Sequence, residues 1–300
     1  MDFGPKLGCN LEPSKSWLIV KFEHLDKAKT IFGGTGLNIT VQGRTHLRAV
    51  VGATNFKKEY VQGKLEDWKS QIEDLAKIAW VEPHLTYITF VYGMQNKYTY
   101  KMRTIPNIEE QLKILDKSIN ESQLVALFNG RTLNEDEKKL ISIPTRLGGM
   151  GIRITSEISS AQYEKSVAIT RQLQKENLGM NNEIIKNIIQ EAKTMKEERN
   201  EIPVEKAINA SNDIHARIIY TTSEKGSSAW LKPLPITAND YHLTKPEFWD
   251  ALYLRYGSRM KGLPTTCACG NAYSISHSLT CLKGSYVTTS HNVLRDTKAQ

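Results

Sequence analysis

The sequence predicts an α+β fold that is mostly helical, with a β-rich start, a long helical middle and a small cysteine-rich end. Three observations predict it. β-prone runs bounded by turn residues crowd the first 60 positions. Apolar residues then recur at helical spacing to about residue 256. Finally, three of the four cysteines fall between 267 and 281, with His277 among them.

Trp17-Leu-Ile-Val20 follows Pro13-Ser14-Lys15-Ser16 and reads as a buried strand after a turn. Glu23 to Ile31 reads as a short helix ended by Gly33-Gly34-Thr35-Gly36. Asn38 to Val41 and His46 to Val51 are two β-prone segments, and Gln42-Gly43 between them is a hairpin signal. So few strands cannot cover their own edges, so this stretch is expected to be the tail of a domain whose beginning lies before Met1.

Helical periodicity starts near residue 55. Leu65, Trp68, Ile72, Leu75, Ala76 and Ala79 share one face, with Glu66, Lys69, Glu73 and Lys77 opposite. Pro83 opens a second helix rich in aromatics (Tyr87, Phe90, Tyr92, Tyr98, Tyr100), and Pro106 breaks it. A stripe at this spacing reads as helix packing rather than a base-stacking platform. Ile108 to Phe128 forms a third helix around Leu112, Leu115, Ile119 and Leu127. Asn134-Glu-Asp-Glu137 is a helix start with acids in the first turn. Ile143 to Ile152 holds Pro144 and three glycines, which marks a specifically shaped connection. Gly148-x-x-Gly151 lacks the strand, helix and companion acid of a dinucleotide site. Helices are expected from Thr155, as cap, to about Glu176, over Asn181 to Arg199, over Val204 to Glu224, and from Lys245 to Tyr256. The charge run Lys193 to Glu201 reads as a solvated face or a link.

Hydrophobic residues make up 40% of the chain and charged residues 24%, which is ordinary for a globular protein. No apolar run reaches the roughly 18 residues that span a bilayer, and the start has no secretory pattern. The expected location is therefore intracellular, cytoplasm or nucleus, with no membrane partner and no small-molecule substrate. The net charge is +8. Residues 251–300 carry Arg255, Arg259, Lys261, Lys283, Arg295 and Lys298 against Asp296, five of those net charges. Such an excess reads either as a phosphate-contacting surface for nucleic acid or as a solvated basic face.

The cysteines form the pattern C-x-C-x7-H-x3-C: Cys267, Cys269, His277 and Cys281. Three thiolates and an imidazole are the ligand set of a closed tetrahedral zinc site. The x3 gap puts His277 and Cys281 on one helical turn, and Gly270 permits the sharp turn a knuckle needs. With four protein ligands the zinc is structural, and His291 lies outside the compact spacing. Other chemistry is poorly supplied. No Asp-Asp pair occurs, and Glu66-Asp67 and Glu73-Asp74 sit on the polar face of a helix. Nucleophile elbow, phosphate loop and His-Glu-x-x-His are missing. Cys9 stands alone, and His24, His46, His84, His215 and His242 are scattered, so no catalytic residue is assigned.

Several segments together resemble one family. Gly4-Pro-Lys-Leu-Gly8 with Pro13 to Lys21 is similar to the part of a non-LTR-type retrotransposon reverse transcriptase just after its catalytic Asp-Asp strand. His46-Leu-Arg-Ala-Val-Val-Gly52 resembles the primer-grip hairpin that follows, and residues 55 to 142 resemble the thumb. Pro144-Thr-Arg-Leu-Gly-Gly-Met-Gly-Ile152 is similar to a recurrent motif beyond it. Cys267-x-Cys269-Gly270, His277-x-Leu279-x-Cys281 and Gly284 to Asp296 resemble the knuckle leading into a restriction-enzyme-like endonuclease. The resemblance implies a palm remnant over 1–60, a helical thumb over 61–142 and a helical linker over 143–256. A zinc knuckle with the start of a truncated endonuclease region then covers 257–300. It further implies structural Zn²⁺, with Mg²⁺ only in the intact family enzyme. RNA or DNA would be held through Lys15, Arg255, Arg259, Lys261, Lys283 and Arg295.

The departures count too. The family's paired aspartates would precede Met1 and its endonuclease acids would follow Gln300. Lys15 matches the lysine that neutralises or protonates departing pyrophosphate, a role with nothing to act on here. Arg48 stands where the hairpin usually has glycine, and Ser290 where arginine usually precedes His-Asn. The expected function is a retroelement-derived fragment that binds nucleic acid without polymerising or cutting. Two other readings remain open. One is the middle piece of an active polymerase and endonuclease split in gene prediction. The other is a zinc-stabilised interaction protein with no nucleic-acid role.

Overall fold

Turn chemistry shapes the first part of the chain. The computed structural model describes residues 12–175, 213–239, 241–257 and 262–284, with scattered positions between 183 and 209 and between 287 and 296. Strand β1 (Trp17–Ile19) pairs in parallel with β2 (Asn38–Thr40), and helix α1 (Leu25–Phe32) makes the crossover. A parallel pair cannot be closed by a tight turn, so the intervening helix is required. Strands β3 (Gly43–His46) and β4 (Ala49–Gly52) form a separate antiparallel hairpin.

The hairpin corrects the expectation for Gln42-Gly43. Its turn is Leu47-Arg48, with φ of 48° and 63°. Two consecutive positive φ values match the right-handed twist of a two-residue hairpin. Side chains from the following helices hold this costly turn: Tyr100 donates to the Leu47 carbonyl, and Tyr60 and Lys101 donate to that of Arg48. Gly43 instead faces Gly52 at the open end, where a Cβ on Gly52 would come within 2.3 Å of the Gly43 Cα.

The helical part packs around α2 (Thr54–Ala79), whose buried face includes Leu65, Trp68, Ile72, Ala76 and Ala79 as expected. Helix α3 (Pro83–Ile88) runs through a π turn, Thr89–Met94, into α4 (Gln95–Thr104). Of the aromatic stripe, Tyr87, Phe90 and Tyr98 are buried, whereas Tyr92 and Tyr100 are exposed. A second π turn, Ile119–Gln123, splits the expected third helix into α5 (Glu109–Ser118) and α6 (Leu124–Leu127). Helix α7 (Glu135–Ser142) starts on a capping box between Asn134 and Glu137. Helix α8 (Thr155–Lys175) packs on α4 and α5. Its cap is not Thr155: the Asp116 carboxylate of α5 accepts from Thr155 N at 2.6 Å and from Ser156 N at 3.0 Å. Helix α9 (Asp213–Ser223) is the described part of the expected Val204 helix. Helix α10 (Lys245–Arg255) starts on a Thr244–Glu247 capping box and packs against α3. The expected Asn181 to Arg199 helix and the charge run after Lys193 lie largely outside the described residues.

The chain divides into two compact units, Met1–Tyr256 and Gly257–Gln300. In the first, one core joins Val50 of the hairpin, Leu65 and Ile72 of α2, and Leu231 and Phe248 near its end. The segments expected as palm remnant, thumb and linker thus share a single apolar interior. Among the described residues no helix is long and apolar enough to cross a membrane.

Candidate metal centre

In the second unit a tight turn and a short helix converge. Thr266 bridges Ala272, the Cys267 amide donates to the Asn271 carbonyl at 2.8 Å, and Gly270 closes back on Cys267 with φ of 91°. This turn presents Cys267 and Cys269. Helix α11 (Ile275–Thr280) is capped by Ser274, whose hydroxyl accepts from His277 N at 3.0 Å. The cap fixes the first turn of α11, which carries His277. Cys281 follows at the helix end and is buried.

The four ligand atoms lie within 4.8 Å of one another. Cys267 Sγ and Cys281 Sγ are 3.6 Å apart, and Cys269 Sγ is 3.0 Å from His277 Nε2. A tetrahedral ion with bonds of about 2.3 Å to sulfur separates two ligand sulfurs by about 3.8 Å. The cluster is therefore already the size of a single metal's coordination shell. The Cys269 amide favours the Cys267 thiolate, but desolvation and the neighbouring Cys281 and Cys269 thiols outweigh it and raise the Cys267 pKa. A cation among them would reverse that balance. His291 is exposed and is not one of the four.

Of the expected phosphate-contacting residues, Lys15, Arg255 and Lys283 are among those described. Lys15 is exposed in a 3-10 turn, Pro13–Lys15, and Lys283 is exposed in another, Leu282–Gly284. Arg259, Lys261 and Arg295 lie outside the described residues, as does Cys9. Arg255 is a correction. It is 5% exposed, and its Nη2 donates to Ser228 Oγ at 2.9 Å, to the Gly149 carbonyl at 3.1 Å and to the Thr145 carbonyl at 3.3 Å. A guanidinium turned inward onto carbonyls has no reach to an external phosphate.

Those carbonyls belong to the glycine-rich segment, which becomes intelligible as a hub. Tyr87 donates to the Met150 carbonyl at 2.8 Å, Gln95 to that of Gly151 at 3.0 Å and Tyr256 to that of Gly148 at 3.3 Å. Burial pushes the Tyr256 phenol up to about 12, so it remains a donor. The segment's amides are also spent internally: Gly149 N on the Pro144 carbonyl, Met150 N on Ile141 and Gly151 N on Ile143. The three glycine amides are thus not free to cradle a phosphate, which agrees with the absence of a dinucleotide fingerprint. A Cβ on Gly149 would lie 2.1 Å from the Ile143 carbonyl oxygen, so the close approach requires glycine there.

Two of the histidines that look scattered in sequence lie near each other. His84 is fully buried, stacks on Phe248 at 5.4 Å and accepts from Leu243 N at 3.2 Å. Beside it His242 Nε2 lies 3.1 Å from Glu82. Burial, then the neighbouring His242, lowers the His84 pKa to about 4. Asp67 and Asp74, by contrast, are exposed and paired with Lys64 and Lys77, as a solvated face should be. Compared with known proteins, the chain matches no family model, no curated protein and no solved structure.

Proposed function

We propose that the chain is the post-catalytic portion of a non-LTR-type retroelement reverse transcriptase. In this reading it binds RNA or DNA through phosphate contacts and neither polymerises nor cuts by itself. A structural zinc ion on Cys267, Cys269, His277 and Cys281 holds its second unit. The single observation that carries the reading is the convergence of those four ligand atoms within 4.8 Å. It is supported further by five motifs in family order, and by a hairpin turn at Leu47-Arg48 that uses positive φ where the family has glycine. The absence of an Asp-Asp pair from the sequence removes the metal-binding acids that synthesis needs. In this reading the cysteines act as reduced metal ligands and the protein works in the cytoplasm or nucleus.

When bound, zinc supplies cross-linking energy on the order of 10 kcal/mol to a segment too short to bury a core. Cys267 and Cys269 would bind from the turn, and His277 and Cys281 from the two ends of α11. Metal analysis should find one zinc per chain. Chelation should expose 257–300 to proteolysis while leaving the first unit intact. Identical protection with and without zinc would remove the metal reading. Oligonucleotide binding should weaken steeply as salt rises. Salt-insensitive binding of a protein partner alone would favour the zinc-stabilised interaction protein instead.

A further inference from the structure

The seam between α4 and α8 carries two arginines from different elements, each bonded across it to a neutral side chain. Arg103 Nε donates to Gln162 Oε1 of α8 at 3.1 Å. Arg153, just before α8, places Nη1 3.4 Å from Thr99 Oγ1 of α4. Thr99 and Arg103 are one helical turn apart on α4, so both arginines lie along the same stretch of the seam. Among the described residues neither has a carboxylate partner. The nearby Asp116 is committed to Thr155 and Ser156, and Glu109 accepts from Ser160.

Arg153 is also held rigidly. Its amide donates to Gln95 Oε1 at 2.8 Å, while the same Gln95 amide group donates to the Gly151 carbonyl. The glycine hub and Gln95 thus fix the backbone that presents Arg153, and the Asp116 cap fixes the residues after it. Burial lowers the Arg153 pKa, and Arg103 adds to that. A half-buried cation beside a like charge carries a desolvation and repulsion cost that a bound anion would offset. Two guanidinium forks are well suited to phosphate oxygens, which they can grip bidentately.

We propose that Arg103 and Arg153 form a preorganised clamp for a phosphate group of a nucleic-acid backbone, with the glycine hub as its mount. This rests on the nucleic-acid reading above for the identity of the phosphate, though not for the clamp itself. The test uses the full chain with a fluorescein-labelled single-stranded DNA and its RNA counterpart, read by anisotropy across a salt series. Inorganic pyrophosphate is tested separately by thermal shift. Each lost contact should lower the salt slope by about 0.7. Arg103→Gln and Arg153→Gln should each do so, and the double variant by about twice that. Arg103→Glu, at an exposed position that should not disturb folding, should weaken binding more than Arg103→Gln. Circular dichroism checks that each variant is folded. If wild type binds and the folded double variant and Arg103→Glu keep its affinity and slope, the clamp is wrong and the nucleic-acid reading survives. If wild type binds no oligonucleotide but pyrophosphate stabilises it and not the double variant, the clamp stands and the nucleic-acid reading falls. If wild type responds to neither, both are wrong.

Discussion

Replacing Arg255 by alanine should destabilise the first unit without affecting nucleic-acid binding. One Nη2 group, with two protons, serves three oxygens at 2.9, 3.1 and 3.3 Å. Two charge-assisted bonds at about 1.5–3 kcal/mol each put the gross loss at about 3–6 kcal/mol. Against this, Arg255 Nε is buried without a partner, and removing it relieves a cost of about 1–3 kcal/mol. The net expectation is a loss of about 3 kcal/mol, since the Gly149 carbonyl loses this donor while Thr145 keeps Ser228. Arg255→Lys keeps the charge but not the fork, and should lose about 1–2 kcal/mol. Urea unfolding followed by tryptophan fluorescence measures both, because Trp230 and Trp249 pack on the same core. Oligonucleotide anisotropy over a salt series gives the second readout. Unchanged stability together with a reduced salt slope would refute the reasoning and return Arg255 to the phosphate-contacting set.

Three further outcomes follow from the same geometry. His84 has a folded pKa of about 4 against 6.5 unfolded, so the folded state binds fewer protons between those values. Its contribution is complete above pH 6.5 and is lost as pH falls through 4, at most about 3 kcal/mol. His84→Asn, which keeps an acceptor for Leu243 N, should flatten that part of the pH–stability curve, and parallel curves for the two proteins would contradict it. Gly149→Ala puts a methyl against the Ile143 carbonyl and should cost about 3 kcal/mol in urea unfolding; a loss below a few tenths would show that the hub is pliable. Arg48→Gly relieves a positive φ while keeping the carbonyl that Tyr60 and Lys101 hold, and should raise stability by about 0.5–1 kcal/mol, checked by the shift in thermal midpoint.

Most of the helical architecture and the convergence of the Cys–His cluster were legible in the sequence, because both are written in short-range spacing. The face of α2 follows from a period of 3.6 residues, and the Asn134–Glu137 cap from two residues three apart. Cys267, Cys269, His277 and Cys281 converge because a glycine turn and a capped helix are both local devices. The π turns at Thr89–Met94 and Ile119–Gln123 were not legible: each adds a residue to a turn without changing the composition.

Tertiary structure alone decided the rest, wherever a group's partner lies far along the chain. Gln42-Gly43 has turn composition, yet the hairpin turns at Leu47-Arg48, where side chains from two later helices hold the carbonyls. Arg255 looked like part of a basic surface until its acceptors proved to be Thr145 and Gly149, more than a hundred residues away. The glycine segment announced a special shape in sequence. Only packing showed that the shape ties its carbonyls to α3, α4 and the end of α10, and that Gln95 holds the backbone at Arg153. Local periodicity can determine which face of an element is buried. It cannot determine which distant donor meets which acceptor, because that choice is made by the packing of the whole unit.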